Sequence, residues 1–139
     1  MATRTKKRAV KQAAPRKPAA DFDDVFERLR KLLLPYAKHM VVKYDGPGIY
    51  YLETAPVAKY GTEVFFGAVK MSKRHVSFHL MPVYVFPELL EGISPALRKR
   101  LEGESCFNFT HVEPALLREL TTLTRQGYQG YRRGGLFPA

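Results

Sequence analysis

The chain has 139 residues, 45% of them hydrophobic, and that length argues for one domain able to bury roughly two-thirds of its unfolded surface without staples. Cys106 is the only cysteine, which excludes an internal disulfide and suits a reducing compartment, and no apolar run approaches the roughly 20 residues of a membrane helix. The formal charge of +10 sits at the ends: residues 1–20 hold seven basic and no acidic side chains, Arg132 and Arg133 add two more, and residues 21–131 carry 14 basic against 13 acidic. A body so close to neutral argues against a domain whose fold is itself a nucleic-acid reader.

Residues 1–20, rich in Ala, Lys, Arg, Thr and Pro, have no hydrophobic periodicity and read as a disordered basic tail. Such a tail solubilises the chain or makes weak contacts with a polyanion. Lacking an apolar core segment, it is not a secretory signal peptide, and the expected location is cytoplasmic. A first helix is expected from Asp21 or Asp23, either of which can cap it, with an apolar stripe of Phe22, Val25, Phe26, Leu29, Leu32 and Leu33. Pro35 should end or kink that helix.

A strand-rich block follows. Residues 40–44 and 49–53 read as two strands joined by a turn at Asp45-Gly46-Pro47-Gly48. Residues 54–61 read as a loop. Residues 63–71 are apolar on both faces around Gly67, which predicts a central strand closely approached at that glycine. After a tight turn at Ser72-Lys73-Arg74, residues 75–80 alternate His75, Ser77 and His79 against Val76, Phe78 and Leu80. The short connections predict antiparallel pairing. An irregular aromatic segment lies between Pro82 and Pro87. Ser94 then caps a helix with Pro95 in its first turn, closed by Gly103. Residues 105–109 form a fifth strand, and Pro114 opens a last helix that should stop at Gly127. Domain boundaries are therefore expected at 21–131, with 132–139 as a loose C-terminal tail.

No residue set dictates a chemistry. On a strand, His75 and His79 lie roughly 13 Å apart, too far to share one metal ion. Cys106 and His111 are near in sequence, but no oxyanion signature accompanies them, and Cys106 reads as a small half-buried hydrophobe. Glu53, Glu63 and Asp45 are carboxylates near strand ends, not clustered in sequence. The aromatic residues are the richer signal. Alternation cannot bury Tyr50 and Tyr51 on one face, so surplus tyrosines could line a groove for a ligand or partner. Tyr44, Tyr51, Tyr60, His79 and Tyr84 are the groove candidates.

Three stretches, Glu63-Val64-Phe65-Phe66-Gly67-Ala68-Val69-Lys70, then His75 to Tyr84, then Gly92-Ile93-Ser94-Pro95 with Gly103-Glu104-Ser105-Cys106-Phe107-Asn108-Phe109, resemble the bacterial YdhG-like domain family. The resemblance covers about residues 22–127. It implies an α+β fold in which a curved antiparallel sheet of about five strands is packed by three helices. It leaves function largely open, since the family carries no agreed catalytic residues. The expected role is a non-enzymatic module binding a small ligand or a protein, without a cofactor. Some members of the family are described as frataxin-like iron chaperones for iron–sulfur assembly. In this chain that alternative would rest on Asp21, Asp23, Asp24 and Glu27, a set followed at once by Arg28, Arg30 and Lys31.

Overall fold

A computed structural model describes residues 18–137, and the side chains of residues 22–137. The expected tail therefore lies outside the described residues up to position 17. The chain is α+β, with one open, curved sheet of six strands: β1 (Val41–Gly46), β2 (Ile49–Glu53), β3 (Phe65–Met71), β4 (Val76–Leu80), β5 (Leu101–Glu102) and β6 (Cys106–Phe109). Every pairing is antiparallel, in the order β1-β2-β3-β4-β6-β5. β3 is interior, as its two apolar faces predict. A Cβ on Gly67 would lie 3.1 Å from the His79 carbonyl oxygen and 3.2 Å from Leu33 Cδ2, the close approach that the glycine signals.

The long helices α1 (Pro18–Leu33) and α4 (Pro114–Arg133) pack on one face of this sheet. Phe22, Val25, Phe26, Leu29 and Leu33 of α1 meet Tyr50, Leu52, Phe66, Val69, Phe78, Leu80 and Phe107 of the strands. Leu116, Leu120, Leu123 and Tyr131 of α4 complete the core. Tyr131 is fully buried, and its hydroxyl donates to the Phe65 carbonyl at 2.7 Å. Thr54, also fully buried, opens the β2–β3 loop: its hydroxyl donates to the Ala55 carbonyl (2.7 Å) and accepts from the Val64 N–H (3.0 Å).

Four expectations are corrected. α1 starts at Pro18, so Asp21 and Asp23 lie inside the helix instead of capping it. Proline suits a first helical turn, and Ala19 and Ala20 are the best helix formers. The helix opened by Ser94 is one turn, α3 (Pro95–Arg98). Ser94 does cap it, accepting from the Leu97 N–H at 3.1 Å, but Leu101 then pairs with Phe107 as edge strand β5. Non-local pairing outweighs the local helical pattern there. The segment after β4 is ordered as the short helix α2 (Pro82–Val85) and a 3₁₀ turn, Pro87–Gly92. Finally, α4 runs through Gly127 to Arg133, and Leu136 and Phe137 pack against the core, so residues 132–137 are not a loose tail.

Gly127 and Gly130 persist inside α4 because other elements press on them. A Cβ at Gly127 would stand 2.6 Å from Pro82 Cβ, and one at Gly130 would stand 2.7 Å from the Phe86 ring. The glycines are contact hollows for the segment after β4.

Candidate functional site

The face of the sheet that the helices leave uncovered holds an ordered set of side chains. Strand register places Tyr44, Tyr51, Ala68, His79, Cys106 and Glu102 opposite one another in sequence across β1, β2, β3, β4, β6 and β5. One residue from each strand thus forms a single cross-sheet row. Ile49, Lys70, Ser77 and Asn108 form the neighbouring row. Because side chains alternate along a strand, both rows point away from the core built by Tyr50, Val69, Phe78 and Phe107.

At the β1 end the row is aromatic. The Tyr44 and Tyr51 rings meet edge to face with centroids 5.5 Å apart, and Tyr51 lies 4.8 Å from Phe65. A bulge between Val42 and Tyr44 turns Lys43 onto the same face. Its ammonium sits 5.7 Å from the Tyr44 centroid and 5.5 Å from that of Tyr51, and 3.9 Å from Glu53. Tyr44 is half exposed.

At the other end the row is polar. Cys106 Sγ and His79 Nε2 are 3.7 Å apart, and the thiol donates to Asn108 Oδ1 at 3.4 Å. Ser77 donates to the same oxygen at 2.6 Å, while Asn108 Nδ2 donates to Glu102 at 3.0 Å. Burial, helped by the Lys70 charge, holds the His79 imidazole below its ordinary value. Burial pushes the Cys106 thiol up. Both groups are therefore neutral partners near pH 7. An activated nucleophile needs the reverse, a thiolate beside an imidazolium.

Of the five groove candidates, Tyr44, Tyr51 and His79 fall on the cross-sheet row. Tyr60, on the loop before β3, and Tyr84, on α2, are exposed and make no ring contact with the row among the described residues. Sequence reasoning missed the partner of Cys106. His111 is exposed and faces Thr110 and Glu113, whereas His79, 27 residues away, is the neighbour. The alternation of β4 signals that His79 shares a face with Ser77, but nothing local states the β4–β6 register. Lys43 and Phe65 were also missed, because bulges displace them onto this face.

The acidic residues are disposed differently. Asp24 is paired with Arg28 at 2.7 Å. Arg30 reaches Glu27 at 3.4 Å and Asp45 at 3.5 Å, with its guanidinium 4.9 Å from the Tyr50 ring centroid. Asp23, Glu27, Arg30 and Asp45 border a cleft of about 830 Å³ beside the β1–β2 and β3–β4 turns. The Asp21 side chain lies outside the described residues. Among the described residues no three His, Cys, Asp or Glu side chains converge as metal ligands. Glu53 faces Lys43, and Glu63 accepts from Thr62 at 3.0 Å. Nor is any helix there long and apolar enough to cross a membrane. The chain matches no known family, no curated protein and no solved structure.

Proposed function

We propose that this protein is a non-enzymatic binding module of the YdhG-like kind, whose working surface is the helix-free face of its sheet. One observation carries the reading. All six strands contribute a residue to a single row on the helix-free face, and around the fully buried Ala68 that row is aromatic at one end and polar at the other, where a purely structural outer face needs only solvated side chains. Rigid strands hold Tyr44, Tyr51 and Phe65 side by side, and His79, Cys106, Ser77 and Asn108 supply donors and acceptors beside them. Flat rings with nearby polar groups suit recognition. The neutral state of His79 and Cys106 supports binding over nucleophilic chemistry. The iron-chaperone alternative receives less support, since Asp24 and Glu27 are already met by guanidinium groups that repel a cation and occupy its ligands.

Nuclear magnetic resonance of the isotope-labelled full chain against a library of small aromatic fragments tests the surface. Backbone shifts should concentrate at Tyr44, Tyr51, Ala68, His79 and Cys106. Shifts confined to the cleft of Asp23, Glu27 and Asp45 would refute this placement.

A further inference from the structure

Resting on the open-face reading, we propose that the aromatic end of the cross-sheet row stacks the bases of a single-stranded nucleic acid. Three rings from three adjacent strands, Tyr44, Tyr51 and Phe65, stand within 4.8–5.5 Å of their neighbours on the helix-free face, Tyr44 half exposed and Tyr51 and Phe65 partly exposed beside it. Each base has a flat π-face, and exposed rings on a rigid sheet receive bases without reading their order. The Lys43 ammonium over both tyrosines is placed to meet a phosphate as bases reach the rings. Lys70, exposed in the neighbouring row, offers a second phosphate contact.

The carboxylates on this face do not oppose that use. Glu53 has a side chain only 15% exposed and faces Lys43, and Glu102, at the far edge strand, accepts from Asn108. Long-range attraction comes from elsewhere in the chain. Residues 1–17 carry Arg4, Lys6, Lys7, Arg8, Lys11, Arg16 and Lys17 and no acid, and the whole chain is +10. The near-neutral body lacks the basic face of a sequence reader, so the charge of residues 1–17 would attract a polyanion weakly and stacking, not charge on the fold, would fix it. A duplex keeps its bases stacked on one another and offers none to the rings, so the ligand class is the single strand. A protein partner is the competing occupant; the seven basic side chains of residues 1–17, with no acid among them, favour the nucleic acid.

The test is fluorescence anisotropy of the full chain with a labelled oligothymidylate of about ten nucleotides and with a duplex of equal charge. The single strand should bind more tightly, with micromolar affinity that falls as salt rises. Tyr51→Ala should weaken single-strand binding by about 5- to 150-fold, the range expected for one lost base stack, and leave duplex binding unchanged. Tyr51→Phe, which keeps the ring, should bind as the parent does. Tyr44→Ala, at a half-exposed ring, provides a second variant should Tyr51→Ala unfold. Equal binding of the single strand by the parent and both alanine variants would overturn the proposal and leave only charge contact by residues 4–17. Fragment shifts on the row without any oligonucleotide effect would also overturn it, in favour of a small-molecule or protein ligand. Absence of both responses would sink the open-face reading as well.

Discussion

Gly127→Ala should destabilise the protein, although alanine is the better helix former. In an unencumbered helix the replacement gains about 0.5–1 kcal/mol. Here the added methyl would meet Pro82 Cβ at 2.6 Å and Pro82 Cγ at 2.9 Å, well inside normal contact. Those atoms belong to a ring fixed to its own backbone. α2 is tethered too, by the Met81 N–H just before it, which donates to the Phe66 carbonyl of β3 (2.9 Å). Relief therefore requires α2 and α4 to separate. Overpacking of this kind costs about 1–3 kcal/mol, and a contact this close to a rigid group belongs in the upper part of that range. Subtracting the propensity gain leaves a net loss of about 1–2 kcal/mol. For a domain of this size the midpoint should fall by about 4–8 °C. Gly130→Ala meets the edge of the Phe86 ring at 2.7 Å, and a ring can tilt away, so its loss should be smaller. Urea and thermal melts of both variants, with the exposed Gln129→Ala as the control for propensity, measure the order. A Gly127→Ala protein as stable as the parent, or more so, would refute the close approach of α2.

Tyr131→Phe removes the hydroxyl that donates to the Phe65 carbonyl and should cost about 1 kcal/mol in urea melts; no measurable loss would mean that water replaces the bond. Because His79 is held below its ordinary value, the unfolded chain takes up a proton that the folded protein resists. The stability from neutral His79 is present above about pH 6.5 and is lost as the pH falls, so His79→Gln should flatten the slope of unfolding free energy between pH 7 and 5; an unchanged slope would count against it. With its thiol pushed up and half-buried, Cys106 should react with a disulfide reagent at pH 7 more slowly than a free thiol, and His79→Ala should not slow it further. A marked drop in rate on losing His79 would show that the imidazole activates the thiol.

Local patterns carried most of the elements. The stripe from Phe22 to Leu33 is the buried face of α1, the alternation at residues 49–53 and 75–80 places β2 and β4, and Gly67 marks the crowded point of the central strand. These signals are legible because helix and strand periods are written into neighbouring residues. Alternation also shows that Tyr50 and Tyr51 must face opposite ways, which is why Tyr44, Tyr51 and His79 could be nominated from sequence. What it cannot express is register. The meeting of Cys106 with His79 depends on how β4 and β6 slide past each other, and one residue of slip would exchange the faces. Bulges at Lys43 and Phe66 likewise alter which side chains join the row, and they arise from strand pairing. Leu101 and Gly127 show the same limit from the other side. Each carries a correct local propensity, helix continuation at one and helix stop at the other. Each is overruled by a partner distant in sequence, Phe107 through a shared ladder and Pro82 through a shared surface.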